Sequence, residues 1–284
     1  MKMLRLTILL CSLLATHSVV AKINGQISLY NLPTSYADSA NQDTSLTGAY
    51  MYLGNAQHAL ELEYDKLVNV DNKPIQTAQI GVYNLYKPYS TWRLGINNIS
   101  NKRELYAGST IIAGVSYNSY YYQTKVFSAG LDLFTTSHKI ANNVDLEITQ
   151  ASPYLTTYFY PSFIPGYVHL KTQLNLFDSS SDFDFTNNNL GSISVHLDYL
   201  YYAWTLSFKV TSGEEIYAVH DGGYVMFNSD DKYLSSASVF VQYYFNKKLA
   251  VKLGTTTAKL ITKFDNKSVE NTANKHMLML SMFF

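Results

Sequence analysis

Hydrophobic and polar residues alternate with a period of two along most of the chain. This is the pattern of β-strands that have one apolar and one polar face. The clearest run spans residues 58–65, where apolar side chains alternate with Glu61, Glu63 and Asp65. No stretch keeps a helical period long enough to compete, so the pattern predicts an all-β fold. Similar runs recur near residues 144–149, 168–176, 193–211 and 239–253.

The runs and the connections between them predict fourteen strands, joined alternately by tight turns and longer polar loops. Twelve strands are the main alternative, because boundaries read from one sequence err by about 2–4 residues. An even number of strands, with short turns at one end and long loops at the other, is typical of an up-and-down antiparallel transmembrane β-barrel. The predicted strands cover residues 22–31, 44–53, 57–68, 76–87, 89–98, 107–119, 122–136, 142–158, 166–178, 190–202, 203–211, 235–245, 248–264 and 273–284.

The first 21 residues have the features of a secretory signal peptide. Two basic residues precede an apolar stretch over residues 6–15, and small or modest side chains precede Lys22. We therefore expect cleavage before Lys22, export, and a single domain over residues 22–284. The chain has one cysteine, Cys11, which lies in the predicted signal, so no disulfide is expected in the mature region.

The last predicted strand ends in an aromatic residue and carries Leu278, Leu280, Met282 and Phe284 on one face. In these closing positions the chain resembles the Gram-negative outer-membrane β-barrel class, whose final strand ends in phenylalanine. The resemblance implies a place in the bacterial outer membrane, contact with its lipid and lipopolysaccharide, and recognition of the closing strand by the barrel-assembly machinery. A soluble β-sandwich is the alternative, since its strands alternate in the same way.

Charge narrows the possible functions. Basic and acidic residues each number 21, so the basic excess of a nucleic-acid-binding protein is absent. In a barrel the polar faces point into the lumen, which puts acidic side chains mainly on early strands and basic ones mainly on later strands. Such opposed walls would orient dipolar solutes, unless the charges pair and partly plug the lumen. The candidate lumen-lining residues are Glu61, Glu63, Asp65, Arg93, Asp132, Asp145, Glu147, His169, Lys171, His196, Asp198, Lys209, Lys248 and Lys252.

Patterns for catalysis or metal binding are weak. Asp182 with Asp184, and His196 with Asp198, are residue types used by omptin-type outer-membrane proteases, but the surrounding sequence does not match and the two pairs are not expected to converge. The sequence has no G-x-S-x-G motif, no zinc-type histidine spacing and no EF-hand loop. We therefore expect no enzyme activity, no cofactor and no metal.

The sequence thus favours a passive channel for small hydrophilic or dipolar solutes. The loops at 179–189 and 212–234 are candidate constrictions, and the second is expected to hold a small hairpin from Gly222 to Phe227. One alternative is a non-conducting surface barrel, an adhesin or receptor whose polar loops bind a ligand or host molecule. An outer-membrane hydrolase is the third hypothesis. The sequence does not identify the solute or the oligomeric state.

Overall fold

The chain folds into a closed antiparallel barrel of fourteen strands, with one further two-stranded hairpin. The all-β up-and-down barrel predicted from the sequence is confirmed, and the twelve-stranded alternative is wrong. No helix long and apolar enough to cross a membrane occurs among the described residues. The predicted signal peptide lies outside them and stays a prediction. The computed structural model describes residues 23–37, 42–101, 108–121, 124–140, 144–161, 165–179, 189–216, 218–220, 225–226, 231–264 and 267–284.

Each barrel strand pairs with its neighbours along the chain, and the last strand pairs with the first to close the barrel. The hairpin of β12 and β13 lies between β11 and β14 in the sequence. The strands are β1 Asn24–Tyr36, β2 Thr44–Gly54, β3 His58–Asn69, β4 Pro74–Lys87, β5 Ser90–Asn101, β6 Gly108–Tyr121, β7 Thr124–Ile140, β8 Val144–Phe159, β9 Tyr167–Ser179, β10 Asn189–Tyr201, β11 Trp204–Glu215, β12 Val219–His220, β13 Val225–Met226, β14 Lys232–Asn246, β15 Leu249–Phe264 and β16 Lys267–Phe283.

Several strands are longer than predicted, and the largest extensions lie at the end that carries the long loops. β1, β7 and β11 each continue about four or five residues past their predicted ends, and β16 begins six residues early, at Lys267. The hydrogen bonds between strands join backbone groups, so pairing continues beyond the alternating run of side chains. The predicted loops at 69–75, 137–141 and 265–272 are consequently short connections.

Alternation along the strands separates an apolar outer surface from a more polar interior. Leu94, Leu253 and Leu278 are more than half exposed on the outer surface. Asn84 and Asn175 are almost fully buried and point inward. Transmembrane β-barrels have such an apolar outer band on strands of this length, where the barrel contacts lipid.

One segment between β11 and β14 folds into the barrel instead of outward. We call it the inner segment, and its described residues are 216, 218–220 and 225–226. Ile216, Ala218 and Val219 are buried against side chains of β4 and β6–β10. The strands β12 and β13 pair within it, so the predicted hairpin exists and starts three residues earlier than expected.

The inner segment explains why β8 departs from the sequence prediction. Leu146 and Ile148 are 2% and 3% exposed and pack against Ile216 and Ala218, whereas Glu147 is exposed on the outer side. The assignment of Glu147 to the lumen is therefore wrong. The apolar positions of this stretch face inward, because the inner segment gives them an apolar partner there.

Candidate functional site

A buried glutamine fastens the inner segment to the barrel wall. Gln150 of β8 donates from Nε2 to the carbonyl oxygen of Val219 at 2.7 Å, and its Oε1 accepts from the Val219 amide at 2.8 Å. Gln150 is 1% exposed. One side-chain amide thus satisfies both backbone groups of a buried residue, as a neighbouring strand would.

A second attachment joins a histidine of the inner segment to a glutamate of β11. His220 Nε2 lies 2.9 Å from Glu215 Oε2, and both side chains are buried. The other carboxylate oxygen of Glu215 accepts from Ser192 and from Asn175 Nδ2. Ser152 then donates to Asn175 at 2.9 Å, which links this network to the strand of the glutamine. A buried polar network with this many satisfied partners specifies one docked position for the inner segment.

A cavity of about 540 Å³ remains on the other side of the lumen. Its walls come from β1–β5, β14 and β16. The inward face of β1 borders it over ten residue steps, which is about 33 Å along a strand at ~3.3 Å per residue. The cavity therefore follows most of the length of the barrel wall. Its lining from β1 consists of Gln26, Ser28, Tyr30, Leu32, Thr34 and Tyr36.

Three carboxylates of β3, those of Glu61, Glu63 and Asp65, line this cavity. The hydroxyl of Tyr30 lies within hydrogen-bond distance of both Glu63 and Asp65, and its single proton is donated to one of them at a time. The hydroxyl of Tyr50 donates to Glu61 Oε2 at 2.6 Å. Phenols are neutral donors, so they hold the carboxylates in place without cancelling their charge.

A glycine makes the contact between Tyr30 and Asp65 possible. The two residues stand on β1 and β3, on either side of Gly48 of β2, at paired positions. A Cβ atom at Gly48 would overlap both the phenol ring and the carboxylate. The acids were predictable from the sequence, whereas Tyr30, Tyr50 and Gly48 were not. Alternation assigns a side chain to a face of the sheet and does not show which strands share a site.

Most other candidate lumen residues occupy inward positions, while two do not. Lys248 lies in the turn between β14 and β15, where its amide donates to Asn246 Oδ1 at 2.7 Å, so its assignment to the lumen wall is wrong. Glu147 lies on the outer side, as described above. The side chain of Asp145 falls outside the described residues. The inward positions are those of Arg93, Asp132, His169, Lys171, His196, Asp198, Lys209 and Lys252.

The paired acid and histidine of β10 belong to a hydrogen-bonded cluster on the lumen wall. Asp198 lies 2.8 Å from His169 Nδ1 and 3.0 Å from His196 Nε2, and it accepts from Ser207 at 2.5 Å. The loop acids at 182 and 184 fall outside the described residues. Within the part of the chain that the structure describes, no group of three or more ligand side chains is placed to hold a metal ion.

The carboxylates of β3 and the lysines of β9 and β11 lie on opposite sides of the lumen. The wall formed by β9–β11, which we call the basic wall, also carries Asp198 and Glu215. β3 and β10 are seven strands apart in the closed order of fourteen. Lys171, Lys209 and His196 of the basic wall border a small cavity of about 20 Å³ together with His220 of the inner segment. The inner segment therefore covers the basic wall, and the larger cavity borders the acidic one.

The closing strand completes the barrel at its first strand. The amide of Phe284 donates to the carbonyl of Gly25 at 3.0 Å, and the Gly25 amide donates back at 2.8 Å. The proposed role of the closing positions in assembly stays a prediction. Their side chains are all exposed on the outer face, at Leu278, Leu280, Met282 and Phe284.

Comparison with known proteins gives similarity in fold alone. No protein-family model matches the chain, and no curated sequence matches it. A solved structure described as a bacterial polysaccharide outer membrane secretin is 14% identical with a TM-score of 0.50, over 92% of this chain and 99% of that one. OccAB3 of Acinetobacter baumannii is 9% identical with a TM-score of 0.49, over 93% and 99%. The NanC porin is 11% identical with a TM-score of 0.46, over 89% and 98%. The similarity to the secretin structure supports the closed-barrel fold and nothing beyond the fold.

Proposed function

We propose that the protein is an integral β-barrel of the bacterial outer membrane and acts as a passive channel for small hydrophilic or dipolar solutes. The observation that carries this proposal is the cavity that follows β1 from Gln26 to Tyr36. A path of that length along the wall suits diffusion through the barrel, beside the inner segment. The apolar outer surface supports the membrane location.

The inner segment acts as the constriction in this proposal. It fills the side of the lumen next to β6–β10 and confines solutes to the side next to β1–β3. The other loop that was predicted as a constriction, residues 179–189, falls almost entirely outside the described residues. The lining of the path includes three carboxylates on β3 and one ammonium group, that of Lys275. This excess of negative charge favours cations in the channel.

The first experiment is a conductance measurement on the purified, refolded protein in a planar bilayer. We expect steady single-channel steps with a preference for cations. A correctly assembled barrel, with heat-modifiable migration on a gel, that never conducts would overturn the channel proposal and favour a surface-binding role.

The path itself is tested by cysteine labelling, for which the cysteine-free mature region is well suited. We expect a cationic methanethiosulfonate reagent to block Leu46→Cys, because Leu46 lines the cavity. Ser194→Cys lies on the covered wall, and Leu94→Cys on the outer surface. Both controls are expected to keep their conductance under the same reagent. Equal block of Ser194→Cys and Leu46→Cys would contradict a path that runs along the cavity and leaves the covered wall inaccessible.

A further inference from the structure

An apolar row crosses the cavity wall beside the carboxylates. Leu32 of β1 pairs with Leu46 of β2, which in turn pairs with Leu67 of β3, and all three line the cavity. Met277 of β16 extends the row beyond β1. Lumen-facing positions of water-filled barrels are polar, so an apolar row across four neighbouring strands is a departure from that pattern.

The apolar row and the carboxylates are in register. Asp65 precedes Leu67 by two residues on the same face of β3, and Tyr30 precedes Leu32 in the same way on β1. Two residues along a strand span about 6.6 Å, which is the reach of a short alkyl chain. A solute with its charge at Asp65 therefore has its body against Leu67.

We propose that the cavity favours small organic cations that carry a short apolar body, such as primary alkylammonium ions. This inference rests on the proposed channel function and names the solute class that it admits. The carboxylates attract the ammonium group and disfavour anions, and the leucine row contacts the hydrocarbon. A hydrated inorganic cation is attracted by the carboxylates but has no hydrocarbon to contact the leucine row.

The comparison that isolates the apolar contact uses two cations of equal charge and similar size. Propylammonium and ethanolammonium differ by a methyl group in place of a hydroxyl group. Burial of one methylene favours binding by about fourfold. We expect propylammonium to be about threefold or more as permeant as ethanolammonium in bi-ionic reversal-potential measurements, and we expect propionate to be excluded relative to both.

Two variants separate the two parts of the lining and serve as controls for each other. In the double variant Leu46→Asn, Leu67→Asn, the preference for propylammonium should fall to about one while cation selectivity persists. In the triple variant Glu61→Gln, Glu63→Gln, Asp65→Asn, cation selectivity should fall while the preference for the alkyl chain persists.

The outcomes distinguish this inference from the proposal on which it rests. Conductance with equal permeability of the two ammonium ions in the wild-type protein overturns the inference and leaves the channel intact. A preference for propylammonium that survives the leucine variant also overturns it. An assembled barrel that conducts neither ion overturns the channel proposal, and the inference with it.

Discussion

Replacing Gln150 with alanine tests whether the inner segment is the constriction. The change removes two hydrogen bonds to the backbone of Val219, of 2.7 and 2.8 Å, without altering any group that lines the cavity. Each such bond contributes about 0.5–1.5 kcal/mol, so docking should weaken by about 1–3 kcal/mol. That loss corresponds to a rise of about 5- to 150-fold in the population with the segment undocked.

The assay is single-channel recording of the Gln150→Ala variant against the wild-type protein. An undocked segment uncovers the basic wall and widens the path, so we expect frequent transitions to a larger conductance. Ser238→Ala is the matched control, because Ser238 is also buried and bonds to Thr256 of β15 rather than to the inner segment or to the network that holds it. The proposal that the inner segment is the constriction is refuted if both variants assemble and the Gln150 variant shows the same conductance and noise as the control.

The remaining predictions concern the lipid face, the acidic wall and barrel closure. Leu253 is 54% exposed in the apolar band on the outer face, where it pairs with Leu278, so Leu253→Arg should lower the free energy of unfolding by about 2–4 kcal/mol. Thr257 lies on the same face outside that band, where it bonds to the side chain of Asn274, so Thr257→Arg should cost about 0–1 kcal/mol by urea unfolding in vesicles. Gly48→Ala should displace a phenol ring into the cavity and lower the single-channel conductance. Gly191→Ala, where a Cβ atom would meet its neighbours at 3.5 Å or more in ordinary van der Waals contact, should leave the conductance unchanged. Deleting Phe284 removes two backbone hydrogen bonds to β1, and we expect less heat-modifiable barrel in outer-membrane fractions; an unchanged yield would count against a role in assembly.

The strands were predictable from the sequence because their signals are local. Alternation assigns each side chain to a face of the sheet, and turn residues mark the short connections. Asn246 is an example, since its side-chain oxygen accepts a hydrogen bond from the Lys248 amide in the turn before β15. The carboxylates of β3 could be assigned to the lumen for the same reason. Pairing beyond an apolar run depends on a neighbouring strand, which explains why the extension of β16 to Lys267 was not predicted.

The errors in the lumen assignment have a tertiary cause. Leu146 and Ile148 form the same pattern as a lipid-facing pair, and only their contact with Ile216, about 70 residues away, turns them inward. The hydrogen bonds of Gln150 to the same segment also have no local signal in the sequence. Sequence patterns therefore predicted the barrel and its charged interior, and did not predict which part of that interior is filled.

Which wall is covered determines the selectivity that we propose. The full chain carries equal numbers of basic and acidic residues, so its composition favours neither cations nor anions. The inner segment packs against the wall that holds Lys171 and Lys209, and the cavity that remains borders Glu61, Glu63 and Asp65. A docked segment therefore converts a lumen of mixed charge into an acidic path. Undocking would add a wall of mixed charge to the path, since Lys171 and Lys209 lie there beside Asp198, and would dilute its acidic character. Conductance and cation selectivity should therefore change together when the attachment at Gln150 is removed.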